Sequence, residues 1–115
     1  MSLPVTASIE GNVGIIELSR PEKFNCLSLE VQELIGAARV EFEASREVRA
    51  ILIRAQGKHF CTGADLTEVK GKLQDPVALD HFIGYGMDGL RALEQSPLPV
   101  IVAVQGLCLL RSRRC

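Results

Sequence analysis

The sequence has almost no excess of charge and no long hydrophobic run. Its 115 residues carry 13 Lys and Arg against 14 Asp and Glu, a net charge of -1. That balance gives no general attraction to nucleic acid or to an anionic membrane, so a phosphate-bearing ligand has to be held by local groups. No stretch approaches the roughly 20 apolar residues of a membrane span, and the start lacks the apolar region of a signal peptide. We therefore expect neither nucleic acid nor a membrane as a partner.

The cysteines do not form the pattern of a disulfide scaffold. Cys26, Cys61, Cys108 and Cys115 lie far apart, with no CxxC pair and no regular spacing. A reducing compartment is the simplest context, so we expect a cytoplasmic protein, or one of the mitochondrial matrix if a transit peptide has been removed. A hydrophobic fraction of 47% and a charged fraction of 23% are typical of a globular chain, and the length fits one domain with a limited core.

The order of elements predicts an α/β fold. Two β-branched runs, 5–9 and 13–18, flank the turn residues 10–12 and predict a β-hairpin. Ser28 is placed to cap a helix. The apolar face of that helix comprises Leu27, Val31, Leu34, Ile35, Ala38 and Phe42, opposite Glu30, Glu33 and Glu41. The apolar runs 50–53 and 100–104 predict buried strands, parallel and adjacent because helices link them.

Two helices are expected between these strands. A short one runs from Asp65 to about Lys72, and a longer one opens at Asp75 and Pro76 and stops before Pro97 and Pro99. The apolar stripe of the longer helix comprises Leu79, Phe82, Ile83, Gly86, Leu90 and Leu93. Its segment GYGMDG, residues 84–89, has the spacing of a nucleotide fingerprint. Because these glycines lie inside the helix rather than between a strand and a helix, close helix packing explains them better.

The segment with most chemical information is GKHFCTGADL, residues 57–66, which leads from a buried strand into a helix start. The first amides of a helix have no acceptor within the helix and point outward, so they stabilise a developing oxyanion. Gly63 keeps the approach open, Ala64 offers its amide beside a small side chain, and Asp65 can cap the helix. Many such units serve only the fold, and on geometry alone that structural role is the commoner one.

Residues 57–66 are similar to the segment of the enoyl-CoA hydratase/isomerase (crotonase) superfamily in which a phenylalanine and small residues precede Gly-Ala-Asp. Residues 20–27, RPEKFNCL, resemble the family pattern Arg-Pro-x-x-x-Asn-Ala-Leu. Residues 97–106, PLPVIVAVQG, resemble its Pro-x-Pro strand ending in Ala-Val-x-Gly. Three matches in the family's order make chance agreement improbable. The resemblance implies the N-terminal part of a crotonase-like domain over residues 1–115, folded as a partial spiral of β-β-α units (the ClpP/crotonase fold).

The resemblance also implies roles for individual positions. The Ala64 amide would be the first oxyanion donor to a thioester carbonyl, with Asp65, Leu66 and Thr67 bordering the acyl-CoA. Three further positions would lie against the adenine and pantetheine of coenzyme A: Lys23, a possible phosphate partner, Phe24 and Cys26. Coenzyme A would enter as part of the substrate, so no separate cofactor and no metal are implied. Because the family shares this scaffold among hydratases, isomerases, hydrolases and decarboxylases, the fold does not fix the reaction.

The segment 110–115 departs from the family pattern. Arg111 stands where the family has the glycine that supplies the second donor, and Arg114 where hydratases have the first catalytic glutamate. We hypothesise a frameshift, because CGG-TCT-CGA encodes Arg-Ser-Arg and contains GGT-CTC-GA, the start of Gly-Leu-Glu, one position later. The second glutamate and the C-terminal helices that support the family's trimers and hexamers would follow beyond this point. A basic interaction tail is the weaker interpretation, since the cluster is very short.

Other polar residues are interpreted structurally. His59 and Cys61 could suggest a nucleophile and base or two metal ligands, but a structural role is the favoured interpretation. His81 is expected to be exposed, and Glu68 to lie on a solvated helix face rather than toward a ligand. Two functions remain open: an acyl-CoA enzyme represented in part by this chain, and a non-catalytic CoA-binding or interaction remnant.

Overall fold

The computed structural model describes residues 3–23 and 25–106, together with the backbone of 109–110 and 113–114. A short 3-10 turn, Pro21–Lys23, lies among the regular elements. These elements are, in chain order, β1 Val5–Glu10, β2 Val13–Leu18, α1 Leu29–Ala44, β3 Ala50–Ala55, α2 Leu66–Gly71, α3 Pro76–Glu94, β4 Val100–Val102, β5 Leu109–Leu110 and β6 Arg113–Arg114.

A mixed sheet in the order β1-β2-β3-β4 forms the frame of the molecule. β1 and β2 pair antiparallel as the predicted hairpin, and β2, β3 and β4 run parallel. The pairing of Ile51 with Val100 and of Ile53 with Val102 confirms that the strands predicted at 50–53 and 100–104 are parallel neighbours. β5 and β6 pair separately as a two-stranded ladder.

Helix α1 covers one face of this sheet. Ser28 caps it as predicted, since its hydroxyl accepts a hydrogen bond from the Val31 amide at 3.1 Å. Leu27, predicted to lie on the helix, precedes it instead and pairs with Ala64. The shared core consists of Val5, Ile16, Leu18, Val31, Ala38, Phe42, Val48, Ile51, Ile53, Phe60 and Cys61. Each large apolar side chain buried there stabilises the fold by about 1.5–3 kcal/mol.

The predicted burial of the two parallel strands is wrong in part. In β3 only Ile51 and Ile53 are buried, while Leu52 and Arg54 are half-buried. β4 ends at Val102 rather than at residue 104, and Ile101 is 57% exposed. Leu52 and Ile101 are paired on the face of the sheet opposite Ile51 and Ile53, and β4 has no described strand beyond it. A continuous apolar run indicates a strand but not how many of its faces are covered.

Helix α3 is capped by Asp75 and begins at Pro76, as predicted. Its apolar stripe is only partly covered, because Phe82 is buried whereas Ile83 is exposed. The packing explanation for the glycines of 84–89 holds at Gly86 alone, where an added Cβ would lie 3.0 Å from Oε1 of Gln32. An added Cβ at Gly84 or Gly89 would meet nothing within 4 Å. Within the described ranges no helix is long and apolar enough to cross a bilayer.

Candidate functional site

The loop that follows β3 is held by Asn25. This side chain is 3% exposed, and its Nδ2 donates to the carbonyl oxygens of Gln56 at 2.9 Å and His59 at 3.1 Å. Its Oδ1 accepts from the Arg20 amide at 2.9 Å. Asn25 adopts a positive φ of 52°, which asparagine tolerates better than most residues. One buried amide therefore joins the 20–27 segment to the 56–63 segment.

A single parallel bridge between Leu27 and Ala64 continues this junction. The Leu27 amide donates to the Gly63 carbonyl at 2.7 Å, and the Asp65 amide donates to the Leu27 carbonyl at 3.0 Å. Gly63 is buried at a φ of 93°, a conformation that side-chain-bearing residues rarely adopt. Successive peptide groups of an extended segment point in opposite directions, so the Ala64 amide faces away from Leu27. Within the described residues it donates to no acceptor.

Ala64 and Gly63 line an apolar groove of about 1370 Å³. Its other walls come from α1, α3, β3 and the segment around β4, with Phe82, Leu90 and Val102 among the lining residues. Ligand pockets usually measure about 300–1000 Å³, so this groove is wider than a closed site. Ala64, whose amide has no acceptor among the described residues, therefore lies at the edge of a large apolar space.

The helix after this amide is short and has the predicted bounds, with Asp65 and Lys72 as its caps. α2 has six residues, 66–71, and is capped by Asp65, whose Oδ1 accepts from the amides of Thr67 at 3.0 Å and Glu68 at 3.3 Å. The macrodipole arises from aligned peptide units, and this short helix aligns few of them. The direction of the Ala64 amide is consequently set by the bridge to Leu27 rather than by the helix.

The expectation for Glu68 is wrong, because its carboxylate does not lie on a solvated face. Its Oε2 accepts from the Leu29 amide at 2.9 Å, at the first residue of α1. Its Oε1 pairs with Nζ of Lys72 at 3.2 Å, and that ammonium lies 5.6 Å from the centroid of the Phe82 ring. Glu68 therefore ties α2 to the start of α1 and is not presented to a ligand.

The two described thiols are held in their neutral form. Burial raises the pKa of the Cys61 thiol, which is fully buried and accepts a hydrogen bond from the Gly63 amide at 3.4 Å. Burial, followed by the neighbouring Asp65 carboxylate, raises the pKa of Cys26. A nucleophilic thiol needs the opposite shift, so the structural interpretation of Cys61 is favoured. His81 is exposed on α3, as predicted.

The structure brings Cys26, Ala64 and Asp65 together on either side of the bridge, while other predicted positions lie further out. Leu66 is 78% exposed and borders both the groove and a smaller apolar pocket of about 540 Å³ on α2, which Thr67 also lines. Lys23 is exposed and lines neither space. The prediction for Phe24 lies outside the described residues, as does that for Arg111, and only the backbone is described at Arg114.

Two positioning residues escaped the sequence interpretation. The joining role of Asn25 depends on carbonyl groups more than 30 residues away, which sequence does not reveal. The bond of Glu68 to the Leu29 amide likewise joins residues 39 apart, so the sequence gives no signal for it.

Comparison with known proteins identifies the family of this chain. The model of the enoyl-CoA hydratase/isomerase family matches residues 8–109. The chain is 32% identical over 103 residues to the probable enoyl-CoA hydratase echA14 of Mycobacterium tuberculosis, covering 90% of this chain and 40% of that protein. It is 36% identical over 103 residues to a probable enoyl-CoA hydratase of Rhizobium meliloti, covering 87% of this chain and 37% of that protein.

Solved structures show the same relationship. The enoyl-CoA hydratase of Bacillus anthracis superposes with a TM-score of 0.85 at 27% identity, covering 93% of this chain and 42% of that one. Human enoyl coenzyme A hydratase domain-containing protein 3 gives a TM-score of 0.86 at 27% identity, with the same coverage. The chain spans about 40% of the length of the curated relatives it matches. By sequence and by fold, this chain belongs to the enoyl-CoA hydratase/isomerase family.

Proposed function

We propose that this chain binds an acyl-CoA thioester, with the thioester carbonyl oxygen accepting a hydrogen bond from the Ala64 amide. The observation that carries the proposal is the orientation of this amide, which is fixed by the Leu27 bridge, lacks an acceptor in the described chain and borders an apolar groove. Family membership supports an acyl-CoA thioester as the ligand, since relatives of this chain are named enoyl-CoA hydratases.

The ligand would lie along two segments that the structure joins. Asp65, Leu66 and Thr67 would border the acyl-CoA beyond the carbonyl. The 20–27 segment, with Lys23, Phe24 and Cys26, would lie against the adenine and pantetheine. Asn25 and the Leu27 bridge support this arrangement because they connect the two segments directly. Coenzyme A enters as part of the substrate, and no separate cofactor is proposed.

In the complete family protein we propose hydratase or isomerase chemistry on an enoyl-CoA. An amide aimed at the thioester oxygen stabilises the negative charge that develops there as an enolate forms. A second donor and a positioned acid or base would complete the reaction. This chain would therefore supply one half of the oxyanion site.

A non-catalytic CoA-binding role is the alternative for these 115 residues. The hydrogen bonds made by the carboxylates nearest to Ala64 favour this alternative. Asp65 caps α2, and Glu68 is bonded to the Leu29 amide and Lys72. A base has to reach the proton that it moves, and these two groups are held elsewhere. The alternative keeps the Ala64 hydrogen bond and omits turnover.

The test measures crotonyl-CoA hydration by loss of enoyl thioester absorbance, together with acetyl-CoA binding by calorimetry. This chain is compared with a version extended through a Gly-Gly-x-Glu segment and a family C-terminal half. Loss of one oxyanion donor costs about 100- to 1000-fold in rate, and loss of an acid or base about 100- to 10000-fold, although such effects do not simply add. We expect binding by both proteins and turnover only by the extended one. Equal rates would contradict the claim that turnover needs the added segment. Absence of acetyl-CoA binding by the 115-residue chain would contradict the proposed function.

A further inference from the structure

The Asp65-x-x-Glu68 spacing is that of a capping box, yet its hydrogen bonds go elsewhere. In a capping box the glutamate side chain accepts from the amide of the N-cap residue. Here the amide of Asp65, the N-cap of α2, donates to the Leu27 carbonyl at 3.0 Å. Glu68 is thereby left to bond a different helix, through the Leu29 amide at 2.9 Å. The sequence thus contains a local motif whose acidic residue is used over a long range.

This contact closes a ring around Ala64. On one side the chain runs from Leu27 to Leu29, and on the other from Gly63 to Glu68. The two sides are joined by the Leu27–Gly63 bond at 2.7 Å, the Asp65–Leu27 bond at 3.0 Å and the Leu29–Glu68 bond at 2.9 Å. Ala64 lies between the first two of these bonds. Rotation of its peptide group therefore requires at least one of the three bonds to lengthen.

The carboxylate is itself held in place. Its second oxygen pairs with Lys72, the Glu68 side chain is only 20% exposed, and the Lys72 ammonium lies over Phe82 of α3. Hydrogen bonds to an ionised acceptor are stronger than neutral ones, and they are screened less when water is largely excluded. Glu68 thus links α2 directly to α1, and to α3 only through Lys72.

We propose that Glu68 is a positioning residue: by bonding the Leu29 amide it stabilises the Leu27–Ala64 bridge, and the bridge holds the Ala64 amide in the direction that a thioester carbonyl needs. The inference rests on the proposed function and deepens it, because it assigns control of the oxyanion donor to a side chain that does not touch the ligand. The property that matters is reach to the Leu29 amide. The negative charge near the site is secondary.

Two substitutions separate reach from charge. Glu68→Gln keeps the length of the side chain and an oxygen that can accept from Leu29, but removes the charge. Glu68→Asp keeps the charge, and aspartate suits the first turn of a helix, but the side chain is one methylene too short for Leu29. Glu30→Gln is the matched control. Glu30 is exposed in the first turn of α1, and its substitution also removes one negative charge.

The probes are acetyl-CoA labelled with 13C at the carbonyl and free CoA, which has no thioester carbonyl. The carbonyl 13C shift and the Ala64 amide shift are followed by NMR in the 115-residue chain. We expect both signals to move in the wild type, in E68Q and in E30Q. In E68D we expect both responses to shrink, with affinity for acetyl-CoA about 2- to 10-fold weaker and affinity for CoA changed less than about 2-fold.

Each other outcome is decisive. If neither the Ala64 amide shift of the wild type nor the carbonyl 13C shift of acetyl-CoA changes on mixing, the proposed function is overturned, and the positioning role with it. A responsive wild type with an equally responsive E68D overturns the positioning role alone. The same holds if E68D loses its native spectrum or weakens CoA and acetyl-CoA equally, because Glu68 would then support the fold as a whole. Equal impairment of E68Q and E68D would show that charge and reach are both needed, and would overturn the claim that charge is secondary.

Discussion

Leu27 and Ala64 face each other across one isolated parallel bridge, closed by hydrogen bonds of 2.7 Å and 3.0 Å on either side of Ala64. Gly63 and Asp65, which flank Ala64, use backbone hydrogen-bonding groups in this bridge, so the Ala64 amide points away from Leu27, and Ala64 lines the groove. The bridge also joins the 20–27 segment to the loop after β3. A ligand held by both segments would therefore meet the Ala64 amide where they join.

Asn25 is expected to be the most sensitive polar residue of this junction. Asn25→Ala leaves the Gln56 and His59 carbonyls and the Arg20 amide without the partners that they have in the native structure. An unsatisfied buried polar group costs about 1–3 kcal/mol, so we expect a loss of about 2–4 kcal/mol in the free energy of unfolding. Urea denaturation measures it. Asn12→Ala is the control, because the exposed Asn12 makes one bond to Glu47, and an equal loss in the two variants would refute the prediction.

Gly14 is expected to admit no side chain. A Cβ built at this position would lie 2.6 Å from the Phe42 ring, which is buried in the core under α1. Gly14→Ala should therefore lower the free energy of unfolding by about 1–3 kcal/mol through overpacking. Gly36→Ala, where an added Cβ meets nothing within 4 Å inside α1, should raise it by about 0.5–1 kcal/mol. Thermal melting of both variants decides, and a neutral Gly14→Ala would contradict this packing.

Acid should weaken the attachment between α1 and the segment after α3. The Ser96 hydroxyl donates to Glu43 at 2.6 Å and lowers the pKa of that carboxyl, assisted by Arg39 at 2.9 Å. A lowered native pKa gives stability that is present above the unfolded value of about 4.3 and lost as the pH falls through the native value.

The measurement compares the wild type with Glu43→Gln by urea denaturation between neutral pH and about pH 3. The difference in unfolding free energy should shrink as the solution becomes acidic. Ser96→Ala removes the main cause of the shift and should leave a smaller acid-dependent loss than in the wild type. A difference that stays constant over this range would contradict the role of Glu43.

The two described cysteines should differ in reactivity. Cys61 is fully buried and its pKa is raised by burial, so iodoacetamide should reach it only after unfolding. Cys26 is half-buried with a raised pKa, and it should react more slowly than a free thiol but faster than Cys61. Acetyl-CoA should slow the labelling of Cys26 if the 20–27 segment borders the ligand. Peptide-resolved mass spectrometry measures the labelling rates. If saturating acetyl-CoA leaves the rate at Cys26 unchanged, the 20–27 segment does not border the ligand.

The parts of the fold that follow from local chemistry were predictable from sequence. Glycine and asparagine between β-branched runs indicated the hairpin of β1 and β2, and Ser28 marked the start of α1. The parallel pairing of β3 and β4 followed from the helices that connect them. Ala64 was found through its similarity to a family segment, and the structure supplied the bridge that orients it.

What sequence could not provide were contacts made over long distances. Glu68 is bonded to Leu29, 39 residues earlier, and the side-chain pattern of α2 contains no sign of that partner. The predicted burial of β4 was wrong for a related reason. Val102 belongs to an apolar run that predicts a strand, but the number of faces covered depends on which elements lie beside it, and β4 is at the edge of the sheet.

Hydrogen exchange at individual amides tests the central claim most directly. The chain is exchanged alone, with free CoA and with acetyl-CoA, and protection is compared between residues 63–66 and the helical residues 84–89. A carbonyl bonded to the Ala64 amide should slow exchange at that amide with acetyl-CoA, and less or not at all with CoA. Protection of 84–89 with no change at 63–66 would contradict the account and place the ligand elsewhere on the molecule.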